Sequence, residues 1–186
     1  MNVRSSSKPA FSWVTEVNDM EQRGHDWIES LGLQPHPEGG YFAEVYRSED
    51  VLGAHALPER FGADRAVATS IYYLLDGEAF SALHRIQSDE IWHFHDGTSL
   101  SIEAISPDGQ RHTWRLGLDV GAGERPMAVV PAGYWFGAYL TGRRGFALVG
   151  CTVAPGFDFR DFELAQRADL SERFAAHREL IELLTR

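Results

Sequence analysis

Short runs that alternate between apolar and polar residues follow one another from Ala68 to Ala154, and turn-forming residues separate them. Alternation with a period of two predicts strands with one buried face, and separators such as Asp76-Gly77 predict tight reversals. The many short strands favour an all-β sandwich or barrel, which protects its edges by closing or pairing them. We predict eight strands: 68–75, 79–87, 90–96, 98–106, 111–116, 127–131, 134–140 and 146–154.

The segments on either side of this region have a helical pattern. We expect residues 1–17 to be a loose segment, since the first twelve are polar and rich in serine, and residues 18–31 to form a helix capped by Asn18 or Asp19. Residues 169–184 fit a second helix. The inward positions of the two helices are Trp27, Ile28 and Leu31 in the first, and Leu170, Phe174, Leu180, Ile181 and Leu184 in the second.

One further strand and one long loop precede the eight strands. Residues 41–47 alternate as a strand in which Tyr41 and Arg47 share one face, while Glu44 and Tyr46 share the other. Residues 48–66 carry no regular pattern. We therefore expect a surface loop, which is either a functional lid or a disordered excursion.

Length and charge limit the classes of function. A chain of 186 residues can bury one sizeable core, so residues 18–186 are predicted to form a single domain. A net charge of −10, spread along the chain, argues against nucleic acid and anionic membranes as partners, which leaves a small molecule. Cys151 has no partner for an internal disulfide and is expected to be an inert core thiol. The chain lacks a signal-peptide core and a membrane-length apolar run, so we expect a cytoplasmic protein.

Residues 80–97 concentrate the groups that could perform chemistry. This stretch holds His84, His93 and His95, with Glu90 among them. Imidazole can bind a metal or carry a proton near neutral pH. The sequence therefore predicts that any reaction or metal site lies in this hairpin.

Several motifs resemble the cupin superfamily. His84-x5-Glu90-x6-Gly97 resembles the first half of the cupin signature, and residues 121–136 resemble the second. HPEGGYF at 36–42, DEIWHFH at 89–95 and VAPGFDF at 153–159 are similar to one small branch of that superfamily. The resemblance implies a double-stranded β-helix, the jelly-roll barrel of cupins, with short N- and C-terminal helices. It also implies a homodimer and a ligand pocket inside the barrel.

The resemblance also bears on metal binding. Cupins that bind a metal use two histidines and a glutamate from the first motif and one histidine from the second; here only His84 and Glu90 match, and Ile86 and Phe136 occupy the other positions. A pocket without a cofactor is therefore the favoured prediction. The alternative is a divalent metal held by His84, Glu90, His93 and His95, since residues two apart on a strand face the same way.

A more distant resemblance connects the chain to cupins that act as nucleotide-keto-sugar 3,5-epimerases. Residues 38–44 and 83–87 resemble two of their segments, and His84 matches the histidine that serves there as general base. The arginine that those enzymes use to bind the nucleotide corresponds to Gly39 or Gly40. The resemblance thus implies an epimerase-like pocket rather than epimerisation of a nucleotide sugar.

Three functions follow for a barrel that binds a small polar, sugar-like ligand. The first is an isomerase or epimerase that acts next to a carbonyl, with His84 as base, Glu90 orienting its imidazole, and Tyr72 or Tyr139 as acid. The second is binding without catalysis, and the third is a metal-dependent oxygenase or isomerase. The predicted ligand-binding residues are Tyr41, Arg47, Tyr72, Arg85, Trp92, His93, Phe136 and Tyr139.

Overall fold

Two antiparallel sheets face each other in the computed structural model of the chain, which describes residues 10–186 and, within the first helix, side chains only from Asp19 onward. The strands, numbered in chain order, are β1 (Gln34–Pro35), β2 (Tyr41–Arg47), β3 (Val51–Leu52), β4 (Arg65–Ala66), β5 (Thr69–Asp76), β6 (Phe80–Arg85), β7 (Asp89–Gly97), β8 (Leu100–Ile105), β9 (Arg111–Leu116), β10 (Met127–Val130), β11 (Trp135–Leu140), β12 (Phe146–Ala154) and β13 (Glu163–Leu164).

The strand order is that of a jelly roll. The larger sheet runs β1-β2-β5-β12-β7-β10, the smaller runs β13-β6-β11-β8-β9, and β3 pairs with β4 on its own. Consecutive strands thus alternate between sheets along much of the chain. All eight strands expected between residues 68 and 154 are present, so the predicted all-β class is confirmed.

The main core lies between the two sheets. Trp92, Ile102 and Phe136 are almost completely buried there, as the alternating pattern requires. Each such side chain stabilises the fold by about 1.5–3 kcal/mol relative to an exposed one.

The first helix, α1 (Ala10–Ser30), begins earlier than the predicted residue 18. Residues 1–9 lie outside the described residues. The expected caps Asn18 and Asp19 are wrong, because both lie within the helix, where Asn and Asp cost less than about 0.7 kcal/mol relative to Ala. Trp27 and its neighbours do pack against the outer face of the larger sheet, and its indole N–H donates to Asp96 at 2.8 Å.

The C-terminal helix is divided. Helices α2 (Arg167–Arg173) and α3 (Arg178–Leu183) are separated by a 3-10 turn at Ala175–His177, where the His177 Nε2 lies 2.8 Å from a loop carbonyl oxygen. All five predicted inward side chains are buried against the outer face of the smaller sheet. No helix among residues 10–186 combines the length and apolar character that a membrane crossing requires.

The segment 48–66 is folded, so the expectation of a disordered excursion is wrong. Besides β3 and β4 it forms two 3-10 turns, and Phe61 is buried. Both carboxylate oxygens of Asp161 accept hydrogen bonds from the Arg65 guanidinium, at 2.5 and 2.7 Å, and the pair is buried. Removing one member of such a pair typically costs about 3–5 kcal/mol, because the other charge stays buried. The pair therefore fastens this segment to residues 157–162, which border the cavity.

Candidate functional site

A cavity of about 300 Å³ lies between the two sheets. Residues of β2, β5, β7 and β12 form one side, His84 of β6 lies on the other, and residues 157–162 border the cavity as well. Its wall is mostly apolar, with a small group of titratable side chains. Such a concave, mostly apolar site with a few polar groups is the usual form of a small-molecule pocket.

Glu38, which the sequence prediction missed, is central to the polar group. Its side chain is buried, with 5% of the residue exposed. The Ser81 hydroxyl donates to Oε1 at 2.9 Å, while Oε2 lies 3.3 Å from Nε2 of His84 and 3.4 Å from Nδ1 of His36. A buried carboxylate needs partners such as Ser81 and His84, because burying an unpaired charge is costly.

Two glycines place Glu38 in the cavity. Gly39 and Gly40 both have positive φ, at 113° and 68°. A Cβ on Gly39 would lie 2.3 Å from the Phe80 carbonyl oxygen, and one on Gly40 would lie 2.5 Å from that of Leu74. Only glycine tolerates both the backbone conformation and this close approach. The Glu-Gly-Gly of HPEGGYF was therefore the sequence signal for this site.

His84 occupies the cavity wall, as predicted. Its Nδ1 lies 2.8 Å from the Ala82 carbonyl oxygen, which can only accept, so Nδ1 carries a proton and Nε2 faces Glu38. The ring packs against those of Phe136 and Phe162, with centroids at 4.1 and 5.3 Å. Glu38, and not Glu90 as predicted, is thus the carboxyl group that contacts this imidazole.

His36 is a second cavity histidine, also missed by the sequence prediction. Its Nδ1 accepts a long hydrogen bond from the Glu38 backbone N–H at 3.4 Å, and its ring packs edge-on against Phe42. Burial lowers the pKa of His36, and the His84 charge adds to this effect while Glu38 opposes it. His36 is therefore a neutral imidazole whose Nε2–H is the donor that it can offer.

Glu90 lies in the same cavity in a different state. Only 8% of the residue is exposed. Burial raises the pKa of its carboxyl group to about 8, with a further contribution from the Glu38 charge, while a hydrogen bond from Cys151 opposes the shift. At neutral pH Glu90 is thus mainly a carboxylic acid, which can donate a proton. Cys151 is buried as predicted, and burial raises the pKa of its thiol well above the ordinary value.

Tyr73 is the tyrosine in the cavity wall, and its hydroxyl donates to the Gly39 carbonyl oxygen at 2.8 Å. Side chains alternate along a strand, so Tyr72 lies on the outer face, where its ring packs edge-on near His95. Tyr139 packs on the outer face of the smaller sheet with the C-terminal helices. The prediction of Tyr72 or Tyr139 as the acid is therefore wrong.

Arg47 lines the cavity, although not as the strand pattern implied. A β-bulge between Glu44 and Tyr46 shifts the register, so Arg47 faces the cavity with Glu44, whereas Tyr46 is exposed. The predicted shared face of Tyr41 and Arg47 is wrong for this reason. The guanidinium contacts both Glu44 carboxylate oxygens, at 2.6 and 3.0 Å, and the Phe157 carbonyl oxygen at 3.2 Å.

Three other predicted ligand-binding residues lie outside the cavity wall. Trp92 belongs to the core between the sheets, where its ring lies 5.8 Å from that of Tyr73. Arg85 forms an ion pair with Glu163 at 2.6 Å. Tyr41 packs beneath helix α1 on the outer face of the larger sheet. Of the eight predicted residues, Arg47 borders the cavity and Phe136 supports the His84 ring.

His93 and His95 point away from the cavity. Glu90 and Trp92 face inward on β7, so the alternate positions 91, 93 and 95 face outward. His95 lies 5.8 Å from the outer-face ring of Tyr72. The alternative metal set of His84, Glu90, His93 and His95 therefore does not converge, and this prediction is wrong.

His36, Glu38 and His84 lie close together in the cavity. The Nδ1 of His36 accepts from a backbone N–H, and the Nδ1 of His84 donates to a backbone carbonyl. Within residues 10–186 the structure contains no group of three or more His, Cys, Asp or Glu side chains with metal-binding geometry. The cavity suits proton transfer, because Glu38 and His84 are in contact and Glu90 is a neutral acid within the same largely apolar wall.

Comparisons with known proteins identify relatives over most of the length of the chain. The profile of a family described as "Cupin superfamily (DUF985)" matches residues 25–165. The crystal structure of protein SO0799 from Shewanella oneidensis is 43% identical, with a TM-score of 0.78, over 87% of this chain and 96% of that one. A hypothetical protein from Leishmania major is 36% identical, with a TM-score of 0.80, over 87% and 97%. The uncharacterized protein YML079W of Saccharomyces cerevisiae is 28% identical over 89% of this chain and 85% of its own.

Proposed function

This chain belongs to the DUF985 family of the cupin superfamily, and we propose that it is a metal-independent isomerase or epimerase that moves a proton next to a carbonyl group. The substrate is a small polar, sugar-like molecule bound in the barrel cavity. The observation that carries the proposal is the pair of unlike carboxyl groups there: Glu38 in contact with His84, and Glu90 held as a neutral acid. Environments that separate the protonation states of two acids assign the base and the acid of a proton-transfer reaction.

The Glu38–His84 pair acts as the base in this mechanism. It removes the proton from the carbon next to the carbonyl, and the C–H electron pair moves to form the carbon–carbon double bond of an enol. Glu90 donates its proton to the carbonyl oxygen at the same stage, so that no oxyanion is left in the apolar cavity. For the epimer, water protonates the same carbon on its other face, the resulting hydroxide takes the proton held by the pair, and the enol hydroxyl returns its proton to Glu90. For the isomer, the pair returns its proton to the former carbonyl carbon, while the hydroxyl on the neighbouring carbon gives its proton to Glu90 and becomes the new carbonyl.

Ser81 and Tyr73 support these roles without contacting the reacting atoms in the proposal. Ser81 donates to the Glu38 oxygen that does not face His84, which fixes the carboxylate plane. Tyr73 holds the Gly39 carbonyl oxygen at 2.8 Å and thereby the turn that carries Glu38. The rings of Phe42 and Phe162 supply flat apolar surface of the kind that packs against a sugar ring.

Solvent deuterium incorporation tests the proposal. The wild-type protein is incubated in D2O with a panel of keto-sugars and ring ketones, and loss of the proton signal next to the carbonyl is followed by NMR. We expect at least one compound to exchange much faster than in buffer alone. If compounds bind but none exchanges faster than in buffer, the protein binds its ligand without catalysis and the isomerase proposal is wrong.

A low metal content is expected of the purified protein. Two positions at which metal-binding cupins carry histidine are Ile86 and Phe136 here, both buried and apolar. Protein purified without a histidine tag should carry well under one equivalent of iron, manganese, nickel or zinc by elemental analysis. Stoichiometric metal that is lost in His84→Ala would contradict the metal-independent mechanism.

A homodimer is expected from the uncovered part of the larger sheet. Helix α1 covers one half of the outer face, whereas Tyr46 and Met127 on the other half are 54% and 53% exposed, and Val129 is 39% exposed. Exposed apolar patches of this kind mark interaction sites. Light scattering should give a molar mass of twice the 20.8 kDa of one chain. Val129→Glu should lower the measured mass toward that of a monomer. A wild-type monomer at micromolar concentration would contradict this prediction.

A further inference from the structure

The charged groups around the cavity are paired within the protein. Arg47 is the one guanidinium among the described residues that line the cavity, and its Nε and Nη2 both contact the Glu44 carboxylate. Its Nη1 donates to the Phe157 carbonyl oxygen. Three of the five N–H groups of Arg47 are thus engaged and Glu44 balances its charge, so this arginine attracts a phosphate or carboxylate of a ligand less than an unpaired one would.

The carboxyl groups at the cavity also disfavour a negatively charged ligand. Glu38 lies against His84, and Asp158 is held by the Arg160 side chain at 2.6 and 2.9 Å. Glu90 has no cationic partner and is kept as the acid by its burial. An anionic ligand group placed here would meet these carboxyl groups, and the described lining residues offer no free cation to balance it; burying an unpaired charge is costly.

The groups that remain available suit an uncharged ligand. The Glu90 hydroxyl and the His36 Nε2–H can each donate to a carbonyl or hydroxyl oxygen. Ile71, Ile86 and Val153 line the cavity with apolar surface that covers a carbon skeleton. A cavity of about 300 Å³ lies at the lower end of the roughly 300–1,000 Å³ range of ligand pockets, which suits one small molecule.

We infer that the cavity selects uncharged hydroxy-carbonyl compounds and rejects their phosphorylated or carboxylated counterparts, and that Glu44 determines this selectivity by occupying Arg47. The inference rests on the proposed function for the presence of a carbonyl group in the ligand. Beyond the proposed function, it specifies that the ligand is uncharged and that Glu44 determines this preference. Free or deoxygenated sugars are thus favoured over sugar phosphates and nucleotide-linked sugars.

Three ring ketones substituted opposite the carbonyl test this selectivity: hydroxycyclohexanone, aminocyclohexanone and oxocyclohexanecarboxylate. Fructose and fructose phosphate form a second matched pair. Affinities are measured by ligand-observed NMR at neutral pH with the full-length wild-type protein. We expect the hydroxyl compound and fructose to bind at least about tenfold more tightly than their anionic counterparts, which corresponds to about 1.4 kcal/mol.

The Glu44→Gln variant releases the Arg47 guanidinium and should be well tolerated, because the Glu44 side chain is 41% exposed. It should bind oxocyclohexanecarboxylate about threefold to tenfold more tightly than the wild type, with the hydroxyl compound changed less than about twofold. The matched control is Glu163→Gln, which frees Arg85 outside the cavity and should change neither affinity.

Equal or tighter binding of the anionic or the ammonium compound by the wild type would overturn the inference, as would failure of both uncharged compounds to bind. An unchanged carboxylate affinity in Glu44→Gln would overturn the role of Glu44. Deuterium incorporation in the same samples separates this result from the proposed function. A carboxylate that binds and exchanges contradicts the charge selectivity alone, whereas an uncharged compound that binds without exchange contradicts the isomerase alone.

Discussion

Glu90→Gln should make the folded protein more stable than the wild type near pH 8, with an advantage that shrinks toward pH 5. The pKa of the Glu90 carboxyl group is raised from 4.5 to about 8 in the folded protein. Between these values the folded state retains a proton that the unfolded state has lost. The free energy of unfolding of the wild type therefore falls with rising pH in this window, by about 1.4 kcal/mol per pH unit from this group.

The full effect is on the order of 4 kcal/mol once the pH reaches the folded-state pKa of Glu90. Glutamine keeps the size of the side chain and cannot ionise, so it removes this slope. Urea denaturation at one protein concentration, in steps of about one pH unit, measures the difference between the two proteins. Glu103→Gln is the control, because Glu103 is also buried but lies outside the cavity and pairs with Arg111. Parallel stability curves for wild type and Glu90→Gln would show that Glu90 is ionised at neutral pH.

His84→Asn and Glu38→Gln should each slow deuterium incorporation by roughly 10²–10⁴-fold, the range for loss of a general base. Because the two groups act as one base, the double variant should lose little more than either single variant. Glu90→Gln removes the acid and should slow exchange as well, but less. The rates are measured by NMR on whichever keto compound the wild type exchanges.

His93→Asn is the matched control for these variants. His93 lies on the same strand as Glu90 but on the outer face, so its replacement should leave the exchange rate unchanged. If the fold-losses in exchange rate of the two single variants multiply in the double variant, His84 and Glu38 act independently. A rate that survives in Glu38→Gln would return the role of base to His84 alone.

The strands and the position of His84 could be predicted from the sequence because they depend on local patterns. Alternation identified all eight strands between residues 68 and 154, and motif spacing brought His84 and Glu90 into one cavity. The pattern failed at Arg47, where one extra residue in a β-bulge reverses the faces that follow. Strand β2 has only seven residues, which is too few for the alternating pattern to reveal the bulge.

Glu38 and His36 were missed for a different reason. They lie in a turn, where no periodicity assigns a face, and they meet His84 only because β2 and β6 belong to sheets that close around the same cavity. Tyr73 was confused with its neighbour Tyr72, since both belong to a strand with partly buried residues on either face. The residues that the sequence did not reveal thus join the site through contacts between elements that are distant in the chain.

The ionisation of Glu90 can be measured directly by ¹³C NMR of the glutamate side-chain carboxyl groups. One resonance, absent from the spectrum of Glu90→Gln, should remain at the position of a neutral acid through neutral pH and shift to that of a carboxylate with a midpoint at about 8. This result would establish the neutral acid that the mechanism requires beside the Glu38–His84 pair. A Glu90 resonance that has already reached the carboxylate position by about pH 6 would contradict the proposed mechanism, since its proton donor would be absent under working conditions.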